Sequence, residues 1–201
     1  NPGAEGEENM TSLNPTKNTV NFQSSISLNS AYFNKFNLQG TVSEYNHSER
    51  TGDGNNHNIN FFSDLYEIKT SLNHNSIIDG NSDGLIGFHF QNYDQGALGQ
   101  EESHLVHTRT SSFALFALES FNFNLFDLDV GGRLESVNLK NTSLEKGFFP
   151  SAFSSTIKRK IFNNSNAFAG FDFTERAPNA VELFANGPHH AQEQFEVGQS
   201  T

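Results

Sequence analysis

The stretch FDLDVGGRLE, residues 126–135, constrains the fold more than any other. Phe126, Leu128, Val130, Gly132 and Leu134 fall on one parity, and Asp127, Asp129, Gly131, Arg133 and Glu135 on the other. Strict period two is the signature of a β-strand, whose successive side chains point to opposite faces. The same period recurs. Val20, Phe22, Ile26 and Leu28 share a face in 19–28, and Phe36, Leu38 and Val42 in 36–48. Tyr66, Ile68, Thr70 and Leu72 do so in 59–74, and Ile86, Phe88 and Phe90 in 85–93. Residues 167–174 place Ala169, Phe171 and Phe173 together. The segment 108–121 is apolar on both parities, and 153–162 alternates weakly. Helical periodicity is scarce, and abundant Asn, Ser and Gly favour turns. About eight strands with no interposed helix predict an all-β antiparallel fold.

The connections carry a second signal. Every second one, at 49–58, 94–107 and 140–152, is long and polar, and the others are mostly short. Long and short loops alternating between two ends fit an up-and-down barrel. Strands of about 10 residues suit a tilted membrane crossing, and a strand face bearing Asp127, Asp129, Arg133 and Glu135 suits a wet lumen. Pattern alone leaves a soluble β-protein open, because a sandwich also alternates. The chain has 21 Phe but 4 Tyr and no Trp, so Phe would have to serve as the interfacial aromatic, with Tyr32, Phe33, Phe148 and Phe149 as candidates.

Composition removes several functions. A net charge of −11 opposes binding to nucleic acid and is compatible with cations. The absence of cysteine excludes disulfides and thiolate metal sites. No run approaches the roughly 18 apolar residues of a membrane helix. The chain opens at Asn1 with no leader, as expected of a piece of a longer protein. No nucleophile elbow, P-loop or dinucleotide fingerprint is present. Asp127 and Asp129 lie about 7 Å apart along one strand with no cleft nearby to make them a catalytic pair. The chain is therefore read as a non-enzyme needing no cofactor. DGNSDG at 79–84 matches the start of a calcium loop, but Phe90 stands where the closing Glu belongs, so a turn is expected.

Histidines are the main chemical clue. Of the eight, His47, His57, His104, His107, His189 and His190 fall at one end of the strand map, with Glu44, Glu49, Asp53, Asp94, Glu101 and Glu102. Imidazole and carboxylate together suit zinc and neighbouring divalent metals. His189 and His190 end the stretch ERAPNAVELFANGPHH, which reads as a short helix. Pro178 suits a first helical position, Asn186-Gly187 a left-handed stop, and Pro188 forbids continuation.

FTERAPNAVELFANGPHHAQEQFEVG (173–198) resembles a segment of TonB-dependent outer-membrane receptors, in the group that includes the zinc receptor ZnuD. EYNHSERTGDGNNHNINFF (44–62) and VGGRLE (130–135) resemble two further segments in matching order. The resemblance implies a bacterial outer-membrane barrel of 22 strands closed by a plug. This chain would supply about eight of its central transmembrane strands, an open curved sheet if alone. It would comprise an extracellular loop remnant (1–17), barrel strands (18–174) and an extracellular loop with a short helix (175–201). Partners implied are the plug, the remaining strands, TonB acting through the plug, lipid and a metal ion. Zinc would be transported cargo, met by Glu49 and His189, with His47, His190, His104 and His107 as auxiliary candidates. The same string occurs in receptors for haem or siderophores. A different class, a small closed barrel or sandwich acting as a surface adhesin, is the remaining alternative.

Overall fold

The computed structural model describes residues 11–51, 58–76, 80–99, 106–162, 164–189 and 194–199. One antiparallel meander dominates. It runs through β1 (Thr11–Ser27), β2 (Phe33–Thr51), β3 (Asn58–His74), β4 (Ser82–Gly99), β5 (Thr108–Asn122), β6 (Asp127–Lys140), β7 (Glu145–Phe148), β8 (Ser151–Phe162) and β9 (Ser165–Thr174). Each strand pairs with its sequence neighbours, except that β6 pairs with both β7 and β8. Among the described residues β1 and β9 do not pair with each other, so this nine-stranded sheet is open, as expected for part of a larger barrel. No described helix is long and apolar enough to cross a membrane.

The register resolves the facing of every strand. One row runs Ile26, Phe36, Leu72, Ile86, Ala117, Gly132, Phe153 and Phe173 across the sheet. These residues and those two places along each strand form an apolar face that stays open to its surroundings: Val20, Ile86, Leu115 and Leu134 are all exposed. A large apolar surface on a barrel wall is the lipid-facing side. It also fixes 108–121, where Phe113, Leu115 and Ala117 face outward and Ser112, Ala114 and Phe116 face inward. The inward rows are polar and more crowded. One reads Gln39, Lys69, His89, Ala114 and Glu135.

Two boundaries differ from the sequence reading. The β1–β2 ladder continues outward through Thr11–Lys17, a stretch expected as loop, because its partners on β2 are already held by β3. The long connection expected at 140–152 is a tight turn. Asn141 accepts the N–H groups of Ser143 (2.8 Å) and Leu144 (2.7 Å), and its own N–H donates to Leu144 O at 3.0 Å. β7 and β8 are one strand in one register, since Phe148 faces Val137 and Ser151 faces Leu134. The interruption falls at Pro150, which has no N–H to give the ladder. Its carbonyl still accepts from Glu135 N–H at 3.0 Å. Of DGNSDG, Asp79 lies outside the described residues; Gly80 is at a turn with φ 80, and β4 begins at Ser82.

Candidate functional site

After β9 the chain turns back onto the inner wall. Glu175 Oε2 accepts from the Ser151 hydroxyl (2.7 Å) and N–H (3.2 Å), fastening the exit to β8. A short helix, α1 (Ala180–Phe184), follows. Asn179 is its N-cap: Asn179 Oδ1 accepts from Glu182 N–H (2.8 Å), and Glu182 Oε2 accepts from Asn179 N–H (2.9 Å). This reciprocal capping satisfies helix-end donors that a helix of this length could not satisfy alone. Arg176 then forks onto both Glu182 oxygens at 2.6 and 2.7 Å. Arg176, reinforced by the Asn179 N–H, pulls the Glu182 carboxyl down to about 2. Pro178 precedes the cap rather than opening the helix, because Asn179 supplies the capping oxygen that proline lacks.

The helix is held by tertiary contact. Leu183 and Phe184 pack on Val137 and Leu139 of β6, with Val106, Phe148 and Ala177 around them. Val137 and Leu139 share the inward parity of Arg133 and Glu135, so α1 sits inside the wall, at its long-loop end. Pro178 to Val181 face Tyr93 and Thr110 across a cavity of about 370 Å³.

The helix does not end on a left-handed residue. Ala185 is extended (φ −54, ψ 131), and the chain runs straight into β10 (Asn186–His189), paired with β11 (Gln194–Val197). The carbonyls at the helix end are met from outside: Gly198 N–H donates to Ala185 O (2.6 Å) and Gln199 N–H to Glu182 O (2.9 Å). Gly198 is required here. A Cβ would lie 2.6 Å from Leu183 C and Phe184 N and 2.7 Å from Ala185 N, all backbone atoms. Glu175, Arg176, Asn179, Glu182, Leu183, Phe184 and Gly198 thus form a clip that seats the hairpin bearing His189.

The metal candidates are spread over several elements. Glu49 lies in β2, opposite Leu13 and Ile59, and His189 ends β10, opposite Gln194. His104 and His190 lie outside the described residues. His47 is stacked on Phe61, with ring centroids 4.6 Å apart and planes 7° from parallel. His107 is on the other, outward side: its Nε2 lies 2.6 Å from Asp94 Oδ1, while Arg109 holds Asp94 Oδ2 at 2.8 Å. The structure therefore does not bring His47 and His107 together. Among the described residues no three His, Asp or Glu side chains converge as a metal cluster.

A polar network on the inner wall was not anticipated. His89 Nε2 lies 2.8 Å from Glu67 Oε1, Arg133 Nη2 lies 3.3 Å from His89 Nδ1, and Arg133 also binds Glu135 Oε2. Guanidinium only donates, so Nδ1 accepts and the ring proton sits on Nε2, pointing at Glu67. The fully buried Ala114, between His89 and Glu135 in the register, leaves room for Arg133 to reach across β5. The signal for it was present in the polar parities of β3, β4 and β6. A second pair, His74 Nε2 and Glu119 Oε2 at 2.8 Å, lies on the outward parity at the short-turn end, over Gly84.

An open antiparallel sheet of long amphipathic strands, apolar outside and polar inside, is a barrel wall, and comparison decides which kind. The family model for TonB-dependent receptor-like β-barrels matches residues 3–200. The chain belongs to this family. Members of this receptor family are transporters of the bacterial outer membrane, and the barrel strands described here are placed there. A plug, TonB and the outer-membrane lipid are the setting that membership implies. A small closed adhesin barrel or sandwich is set aside by the match and by the open sheet. No curated protein matches the chain.

Proposed function

We propose that this TonB-dependent receptor chain serves the import of zinc, with Glu49 and His189 as metal ligands on the extracellular side of the barrel. The observation that carries the reading is the clip. A five-residue helix is capped at its start by Asn179 and at its end by Gly198 and Gln199, and is buried on β6 by Leu183 and Phe184. Its effect is to fix the start of the hairpin that ends in His189, and fixed ligands bind metal better than mobile ones. His47, two residues before Glu49 and held against Phe61, supports β2 as the second contributor. His104, His107 and His190 would act as auxiliary capture groups. A complete zinc site needs about four donors, and the remainder would come from the plug.

The test is titration calorimetry of zinc into the complete receptor and its His189→Ala and Glu49→Ala variants. Each variant is expected to lose at least tenfold in affinity. Unchanged zinc binding in both would sink the site. Uptake of haem or a siderophore, with no zinc binding by the unmodified receptor, would move the assignment to that cargo class.

A further inference from the structure

The cavity of about 370 Å³ beneath the start of α1 differs from the rest of the inner wall. Its floor is the row Tyr93, Thr110 and Leu139, paired in register across β4, β5 and β6, with Gln95 two places along β4. Its roof is the segment Pro178 to Val181. None of the residues lining it is charged. Closer to the short turns, the polar groups of Glu67, His89, Arg133 and Glu135 answer one another. The cavity has no such closure. Among the described residues, the side chains of Tyr93, Gln95 and Thr110 make no hydrogen bond. Asn179 spends Oδ1 on Glu182 N–H, which leaves both of its side-chain N–H donors open among the described residues.

These groups lie on the lumen side of the wall, where membership of the receptor family places the plug. Once the plug fills the lumen, water leaves the cavity, and polar groups shut away from water are stable only when paired. A charged partner is disfavoured, because the cavity holds no countercharge: Arg176 and Glu182, on either side of the roof segment, are bound to each other. An extended backbone fits instead. It offers N–H and C=O groups in alternation, and amides with two hydroxyls can both donate to it and accept from it. Leu139 and Val181 supply an apolar end suited to a small uncharged side chain. A plug tethered in the same polypeptide is present at high effective concentration, so a few hydrogen bonds suffice to seat it.

We propose that this cavity is the seat of an uncharged, extended segment of the plug, and that the seated segment props the clip whose loop forms the roof. The experiment places the photoreactive residue p-benzoylphenylalanine at Gln95 of the complete, zinc-free receptor, with Asn92, on the outward parity of β4, as the control position. After irradiation, mass spectrometry is expected to find position 95 joined to a plug peptide and position 92 joined to none. Absence of a plug adduct at position 95 would overturn the proposal. A second measurement tests the pairing itself. In the double variant Tyr93→Phe with Gln95→Leu, hydrogen exchange of that plug peptide and of residues 179–187 should quicken at least about tenfold, with the barrel melting temperature unchanged. Quickening confined to 179–187 would show that the cavity serves the clip alone and would overturn the plug as its occupant. Unchanged exchange in both segments would overturn the pairing. Zinc is absent from both measurements, so their outcome is independent of the metal assignment.

Discussion

Replacing Gly198 with alanine isolates the contribution of the clip. The added Cβ would stand 2.6–2.7 Å from three backbone atoms of Leu183, Phe184 and Ala185, where about 3.5 Å is needed for ordinary contact. Backbone cannot rotate aside, so the segment after β11 must retreat by about 1 Å. That retreat breaks the Gly198–Ala185 and Gln199–Glu182 hydrogen bonds. Two such bonds, at about 0.5–1.5 kcal/mol each, place the loss near 2 kcal/mol. Local opening of α1 should then rise roughly 30-fold. The assay is hydrogen exchange with mass spectrometry on a peptide covering 179–187 in the complete receptor. Exchange should accelerate there and stay unchanged in β3 to β5. Gly147→Ala is the control, since a Cβ at Gly147 meets nothing within 4 Å. If Gly198→Ala exchanges within twofold of the unmodified protein, the clip does not hold the helix and the reasoning is refuted.

Three further outcomes follow from the same contacts. Glu182 has its carboxyl lowered from 4.5 to about 2 in the folded loop, so its stabilisation is complete above about pH 4.5 and is lost as pH falls toward 2. Exchange of α1, corrected for intrinsic rates, should rise across that window, and Glu182→Gln should flatten the dependence. Leu183→Ala removes a side chain 4% exposed from a small cluster and should cost about 2 kcal/mol of docking, read as faster proteolysis near 185 with an unchanged barrel melting temperature. Gly84→Val places a side chain 2.8 Å from His74 Nε2 and against Glu119, and should lower barrel stability by about 1–3 kcal/mol in a heat-modifiability gel. Gly132→Val, where a Cβ meets nothing within 4 Å, should leave the gel midpoint in place.

The strand cores were legible because period two is a local property. Leu128, Val130 and Leu134 against Asp129, Arg133 and Glu135 specify a strand and its facing without any neighbour. The broken strand at Pro150 was hidden because proline and weak alternation both imitate a loop. Helix α1 was legible as a helix, but its exact start and end were not, since Asn179 caps through Glu182 and the last carbonyls wait for Gly198 and Gln199. The inward docking had left a trace. Past Leu134 the apolar residues of β6 change parity, to Val137 and Leu139, and an inner wall turns apolar only where protein covers it. The cross-strand network of Glu67, His89 and Arg133 needed the register, which no single strand contains. The metal candidates came from resemblance and from counting loop histidines. The register separates two of them, His47 and His107, by the thickness of the wall.

The neighbour-to-neighbour ladder sets an order of assembly. Each strand from β1 to β6 pairs with the strand next to it in sequence, so each step loses less chain entropy than a distant pairing would. The wall can grow one hairpin at a time, its newest strand always serving as the template for the next. The clip is exempt from that rule. Its Leu183 and Phe184 need β6 beneath them, and its Glu175 needs Ser151 of β8, so it has nowhere to sit until β6 and β8 are in place. The segment that leads to His189 therefore orders only after the strands it rests on.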